Sequence, residues 1–118
     1  MKPSLGSLQE IFIHNLISLL TYIEEELDCS IRGGELWRPQ EMADIYAKQG
    51  KGSRNSLHIS KLAIDLSLFK EGKEVDASDY VKAGTYWKSL DAMNRWGGDF
   101  VNLHDIWHFS MSPDGIRS

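Results

Sequence analysis

Four residues carry the chemistry that this sequence can offer: His58, Asp65, Asp105 and His108. A histidine, a carboxylate seven residues later and a second, distant histidine make up the nitrogen and oxygen donor set of a catalytic zinc, with the fourth position left to water. Asp65 and His108 each stand on a segment whose alternate positions are apolar, and a one-sided sheet with a solvated face accounts for either residue alone. Asp105 precedes His108 by three residues. A zinc hydrolase needs a carboxylate that is not a ligand but stands near the water, where it takes a proton and hands it to the leaving amine. A lone aspartate more often closes a turn or caps a helix, and at this point both roles stand for Asp105.

The other candidates are weaker. His104 and His108, at i and i+4, would chelate a metal from a helix. The alternation of Trp107, Phe109 and Met111 favours a strand there, which leaves His104 behind the ligands or at the surface. His14 sits among apolar neighbours and suits a core or boundary position. Arg38 is either a surface ion-pair partner or a guanidinium fork for a substrate carboxylate or developing oxyanion. Of the four tryptophans, 37, 87, 96 and 107, most belong to a core and one or two can line a cleft. HExxH, phosphate-binding and dinucleotide-binding glycine motifs and the GxSxG elbow are all absent.

These residues need elements to position them. Ser7-Leu8-Gln9-Glu10 has the form of a capping box. A helix is expected to follow, with Leu8, Ile11, Phe12, Asn15, Leu16, Leu19, Leu20, Ile23 and Leu27 on its apolar side, ending by Asp28. Cys29 to Ile31 suggests a short strand stopped by Gly33-Gly34. Pro39 suits the first turn of a helix over 40–47, with Met42, Ile45 and Tyr46 on one face. Lys48 to Asn55 reads as a loop. Leu62 to Phe69 alternates most clearly: Leu62, Ile64, Leu66 and Leu68 against Ala63, Asp65 and Ser67. Gly72 permits a turn, and Ser78 or Asp79 caps a short helical piece. A separate helix is expected over 85–94, ended by Trp96-Gly97-Gly98, and a last strand carries Trp107, Phe109 and Met111 on one side and His108 and Ser110 on the other.

Composition narrows the partners. At 118 residues, with 42% hydrophobic and 25% charged residues, the chain is expected to form one globular domain spanning residues 1–118. A net charge of −4 and the absence of a basic run argue against nucleic acid. The single cysteine, Cys29, allows no intrachain disulfide and is expected to be a small buried residue. The longest apolar stretch, Ile11 to Leu20, includes His14 and Asn15 and is too short to span a bilayer, so no stable membrane association is expected. The first residues lack the pattern of a signal peptide. The expectation is synthesis in the cytoplasm, with any action outside it depending on release by another agent.

Ser56-Leu57-His58, Ala63-Ile64-Asp65 and Asp105-Ile106-Trp107-His108-Phe109 together resemble the S-x-H, A-x-D and [DE]-x-x-H pattern of the M15 family of zinc D-alanyl-D-alanine carboxypeptidases and L-alanyl-D-glutamate peptidases. The stretches SLHISKLAIDLSLFKEGKEV and GTYWKSLDAMNRWGGDF are similar to its short phage-type members, and the resemblance runs from about residue 8 to 111. It implies an α+β fold of the hedgehog/DD-peptidase type, an antiparallel sheet with flanking helices and zinc on one face. It implies His58, Asp65 and His108 as ligands, Asp105 as general base, Arg38 as a substrate-orienting residue with a catalytic role, and Ser56 as a substrate-site residue. Two positions depart from the pattern: Lys61 stands where many members have glycine, and Ser110 where many have an acid.

The function so implied is zinc-dependent cleavage of peptidoglycan stem peptides, as carboxypeptidase or endopeptidase, by an endolysin that reaches the wall with a holin. A virion-associated wall-opening role shares that chemistry. The alternative from another class is a non-catalytic wall-binding domain that keeps the metal as a structural element; Asp105 counts against it.

Overall fold

The computed structural model describes residues 3–34, 36, 40–49, 57, 60–100 and 104–113, apart from the side chains of residues 43 and 46. The chain runs α1 (Leu5–Glu25), β1 (Ser30–Gly33), α2 (Gln40–Lys48), β2 (Ala63–Lys70), β3 (Lys73–Glu74), α3 (Ala77–Leu90), β4 (Asn94–Trp96), a 3-10 turn (Gly97–Asp99) and β5 (His108–Met111). All strand pairs are antiparallel. The strand order is β1-β2-β5-β4, with β3 paired to β2 off that path. This is the α+β architecture expected, with helices α1 and α3 supplying the core against the sheet.

α1 buries Leu8, Phe12, Asn15, Leu16, Leu19 and Ile23, the stripe that its periodicity picks out. Its start differs from the capping-box expectation. Ser4 is the N-cap, and its hydroxyl accepts from the backbone N–H of Ser7 at 3.1 Å. Ser7 therefore lies inside the first turn, because Ser4 satisfies the same orphan donors three residues earlier. His14 is exposed rather than at the core boundary. The apolar stripe passes beside it through Phe12, Asn15 and Leu16.

Residues 77–94 depart most from expectation. Instead of a short piece and a second helix over 85–94, one helix runs from Ala77 to Leu90, and Asn94–Trp96 is a strand. Asp76, not Ser78 or Asp79, is the cap. Gly84 lies within this helix because a Cβ there would come within 2.3 Å of the Trp96 ring. The absence of a side chain lets the indole pack on the helix backbone instead of breaking it. Asn94 Nδ2 donates to the Trp87 carbonyl at 2.9 Å, taking up an orphan acceptor of the last turn.

Smaller differences follow the same logic. β1 extends to Gly33 rather than stopping after Ile31, since Arg32 and Gly33 pair with Ser67 and Leu66. Met42 and Ile45 on α2 are exposed, because the helix-covered side of the sheet is occupied by α1 and α3. β3 was not expected; Glu71 and Gly72, both at positive φ, turn the chain back on β2.

The core joins both layers. Phe12 meets Trp87 edge-on at 5.5 Å, and Trp87 meets Phe109 edge-on at 6.3 Å. Trp87 Nε1–H is shared between the carbonyls of Arg95 and Ser110, each at 3.0 Å, so its polar end is satisfied within the sheet. Cys29 is buried, as expected, and free. Trp87 and Trp96 are core residues while Trp107 is 40% exposed; Trp37 lies outside the described residues. No described helix is long and apolar enough to cross a membrane.

Candidate metal centre

Strand register brings the site together. Asp65 on β2 and His108 on β5 are direct cross-strand partners. The backbone of Asp65 turns the other way: its carbonyl accepts from Gly34 N–H at 2.7 Å, beyond the end of β1. On the β5 side the ladder bonds fall on the flanking even positions, Met111 N–H to the Leu62 carbonyl and Leu66 N–H to the Trp107 carbonyl. Asp65 and His108 therefore form a non-hydrogen-bonded pair, the kind in which side chains approach closest, with Cα atoms about 4.5 Å apart. His108 Nδ1 lies 3.4 Å from Asp65 Oδ1, and the imidazole is 7% exposed.

Asp105 is held by a tight turn. Its N–H donates to the Gly97 carbonyl at 3.0 Å, its carbonyl accepts from His108 N–H at 3.2 Å, and its Oδ1 accepts from Trp107 N–H at 3.2 Å. The turn rests directly on the 3-10 segment. A Cβ at Gly97 would fall 2.1 Å from the Asp105 carbonyl and 2.8 Å from the His108 Cβ, so only glycine permits this approach. Asp105 thus has the turn role that a lone aspartate usually has, and its carboxylate also joins the cluster.

One ligand atom each from Asp65, Asp105 and His108 lie within 4.8 Å of one another. Two carboxylates and an imidazole on a half-buried floor suit a divalent cation: the acids offset its charge, and oxygen and nitrogen donors without thiolate fit a zinc site open to water. The structure brings together three of the four residues singled out by type and spacing. His58, Arg38 and Ser56 lie outside the described residues. Leu57 is fully buried, and its carbonyl accepts from the N–H groups of Ser60 and Leu62 at 3.1 and 2.9 Å. Lys61, where many M15 members carry glycine, has φ +58°, the left-handed region that glycine enters at no steric cost. Ser110 is fully buried one rung from His108 on the same strand face. His104 is exposed.

The model of the M15 D-alanyl-D-alanine carboxypeptidase family matches residues 49–111, more than half of the chain. The chain belongs to this family of peptidases. The matched span includes Ser56, His58, Asp65, Asp105 and His108, and Arg38 lies before it. The M15 assignment agrees with the fold, which is similar to the crystal structure of Serratia marcescens L-Ala D-Glu endopeptidase ChiX. The TM-score is 0.63 over 86% of this chain and 84% of that one, at 17% identity. No curated protein sequence matches this M15 chain.

Sequence reasoning missed the supports of the site. Glu74 accepts hydrogen bonds from Trp107 Nε1 at 2.6 Å and from the Tyr80 hydroxyl at 2.5 Å. A glutamate on a two-residue strand and a tyrosine on a helix give no signal of meeting when read along the chain. Gly97 does give one, a Gly-Gly pair, but along the chain that pair marks only the end of a helix.

Proposed function

We propose that this M15 chain is a zinc-dependent hydrolase of bacterial peptidoglycan stem peptides, acting as a D,D-carboxypeptidase or L-alanyl-D-glutamate endopeptidase in an endolysin-type setting. The observation that carries the reading is the cross-strand pair Asp65–His108 with the Asp105 carboxylate beside it, in a chain of a peptidase family. His58, Asp65 and His108 would hold zinc, which when bound polarises a peptide carbonyl and lowers the pKa of water. Asp105, fixed by its turn, takes the proton of the attacking water and delivers it to the leaving amine. Trp107 N–H holds one oxygen of that carboxylate and so helps fix its orientation. Arg38 would orient a substrate carboxylate, with Ser56 beside the first ligand. Similarity to short phage-type members supports the endolysin setting, with release through a holin or carriage on a virion as the route to the wall.

The test is incubation with purified peptidoglycan and mass spectrometry of the released peptides, alongside elemental analysis of the dialysed protein. One zinc per chain and release of stem-peptide fragments are expected. Binding to the wall without hydrolysis, across walls of different stem chemistry, would establish the non-catalytic wall-binding alternative instead.

A further inference from the structure

Past the end of the β5 ladder, the free edge of β2 is completed by three separate elements. Leu66 N–H donates to the Trp107 carbonyl at 2.9 Å, and Leu68 N–H donates to the Tyr80 hydroxyl of α3 at 2.9 Å. The Leu68 carbonyl accepts from Val75 N–H, just after β3, at 3.0 Å. Glu74 ties these elements together: its Oε2 accepts from both the Tyr80 hydroxyl and the Trp107 indole. Tyr80 is fully buried, and its ring meets the Trp107 ring edge-on at 6.2 Å. The bonds from Trp107 and then Tyr80 hold the Glu74 carboxyl below the usual carboxylate range.

Trp107 is the joint between this cluster and the metal centre. Its carbonyl is bound to β2, its N–H to Asp105 Oδ1 and its indole N–H to Glu74. The ring is partly exposed, so packing alone does not hold it. Rotation of the residue would swing the N–H that orients the Asp105 carboxylate.

We infer that Glu74 is a positioning residue for the hydrolysis: by gripping the Trp107 indole from the β2–β3 hairpin, it fixes the Asp105–Trp107 turn and with it the direction of the Asp105 carboxylate. The inference rests on the reading of Asp105 as the proton-transfer group. Glu74 acts through Trp107 and touches no reacting atom. A small misplacement of such a group lowers turnover without weakening substrate binding.

The experiment compares kcat, KM, zinc content and Tm for wild type, Asp105→Asn, Glu74→Ala, Glu74→Gln, Trp107→Phe and the Glu74→Ala/Trp107→Phe double variant on a soluble stem peptide. Glu74→Ala is expected to lower kcat about five- to twentyfold with KM and zinc content unchanged. Glu74→Gln, whose amide oxygen still accepts both bonds, should recover to within about twofold of wild type. Trp107→Phe, which removes the indole donor and keeps a smaller aromatic ring, should match Glu74→Ala, and the double variant should fall no further. The Trp107→Phe single variant carries the test if Glu74→Ala folds poorly. An inactive Asp105→Asn with fully active Glu74→Ala or Trp107→Phe overturns the role of Glu74 alone. An Asp105→Asn that retains activity overturns the reading of Asp105 and this inference with it.

Discussion

The two faces of the β2–β5 pair are built on one ladder and held in different ways. One face carries Ile64, Leu66, Leu68 and Phe109, and it is packed by side chains from helices: Phe12 on Trp87, and Trp87 on Phe109. The other carries Asp65, Ser67, His108 and Ser110, and its polar groups are placed by backbone, through the Gly34 bond to Asp65 and the stacking of the Asp105 turn on Gly97. The packed face shares its energy over many contacts, so a loss there costs stability while the register survives. The polar face depends on a few close approaches, so a loss there costs geometry and therefore chemistry. Substitutions on the two faces should separate activity from stability.

His108→Ala should have the largest effect, removing zinc and hydrolysis together while the circular dichroism spectrum stays that of wild type. Zinc retained at wild-type stoichiometry would exclude His108 from the ligand set. Asp105→Asn should come next, with hydrolysis down by about two to four orders of magnitude and zinc still bound. Loss of zinc in that variant would make Asp105 a ligand in its own right, which its place within the three-residue cluster allows.

Trp87→Ala probes the packed face. It should destabilise the fold by about 3–5 kcal/mol in denaturant titration, because a fully buried ring and its shared N–H are both lost. The fraction that remains folded should bind zinc as wild type does. A folded Trp87→Ala protein without zinc would show that the faces are coupled and break the comparison.

The smallest effect is a pH dependence at the edge joining the two faces. Burial, and then the Glu74 carboxylate, push the Tyr80 phenol up to about 12 from an ordinary value of 10.0. The raised value means that the fold favours the neutral phenol. Its contribution is whole below pH 10, where the unfolded chain is also neutral, and is lost as pH rises from there toward 12. Glu74 behaves oppositely. Its lowered carboxyl contributes fully above the ordinary 4.5 and loses that contribution as pH falls through the depressed value. The Tm advantage of wild type over Tyr80→Phe should narrow as pH rises from about 10 toward 12; an advantage that is constant across that range would place the phenol outside this network.

Periodicity and local pattern determined much of this molecule. The α1 stripe from Leu8 to Ile23, the β2 segment with Asp65 on one face and leucines on the other, and β5 with His108 all follow from alternation of side chains along 3.6- and 2-residue repeats. Residue type then marked His58, Asp65, Asp105 and His108 as a group, since few side chains combine oxygen and nitrogen donors with acid-base chemistry; the described residues include the last three. Tertiary structure decided what no local pattern encodes. It merged two expected helical pieces into α3, because the Trp96 ring takes the place of a side chain at Gly84. It set Asp65 opposite His108 in a non-hydrogen-bonded pair, a matter of register between strands some forty residues apart, and it brought Glu74, Tyr80 and Trp107 to one edge. The physical reason is common to all three. Repeats along the chain report which face a residue occupies, while its partner across space is fixed only when loops close and the strands take their register.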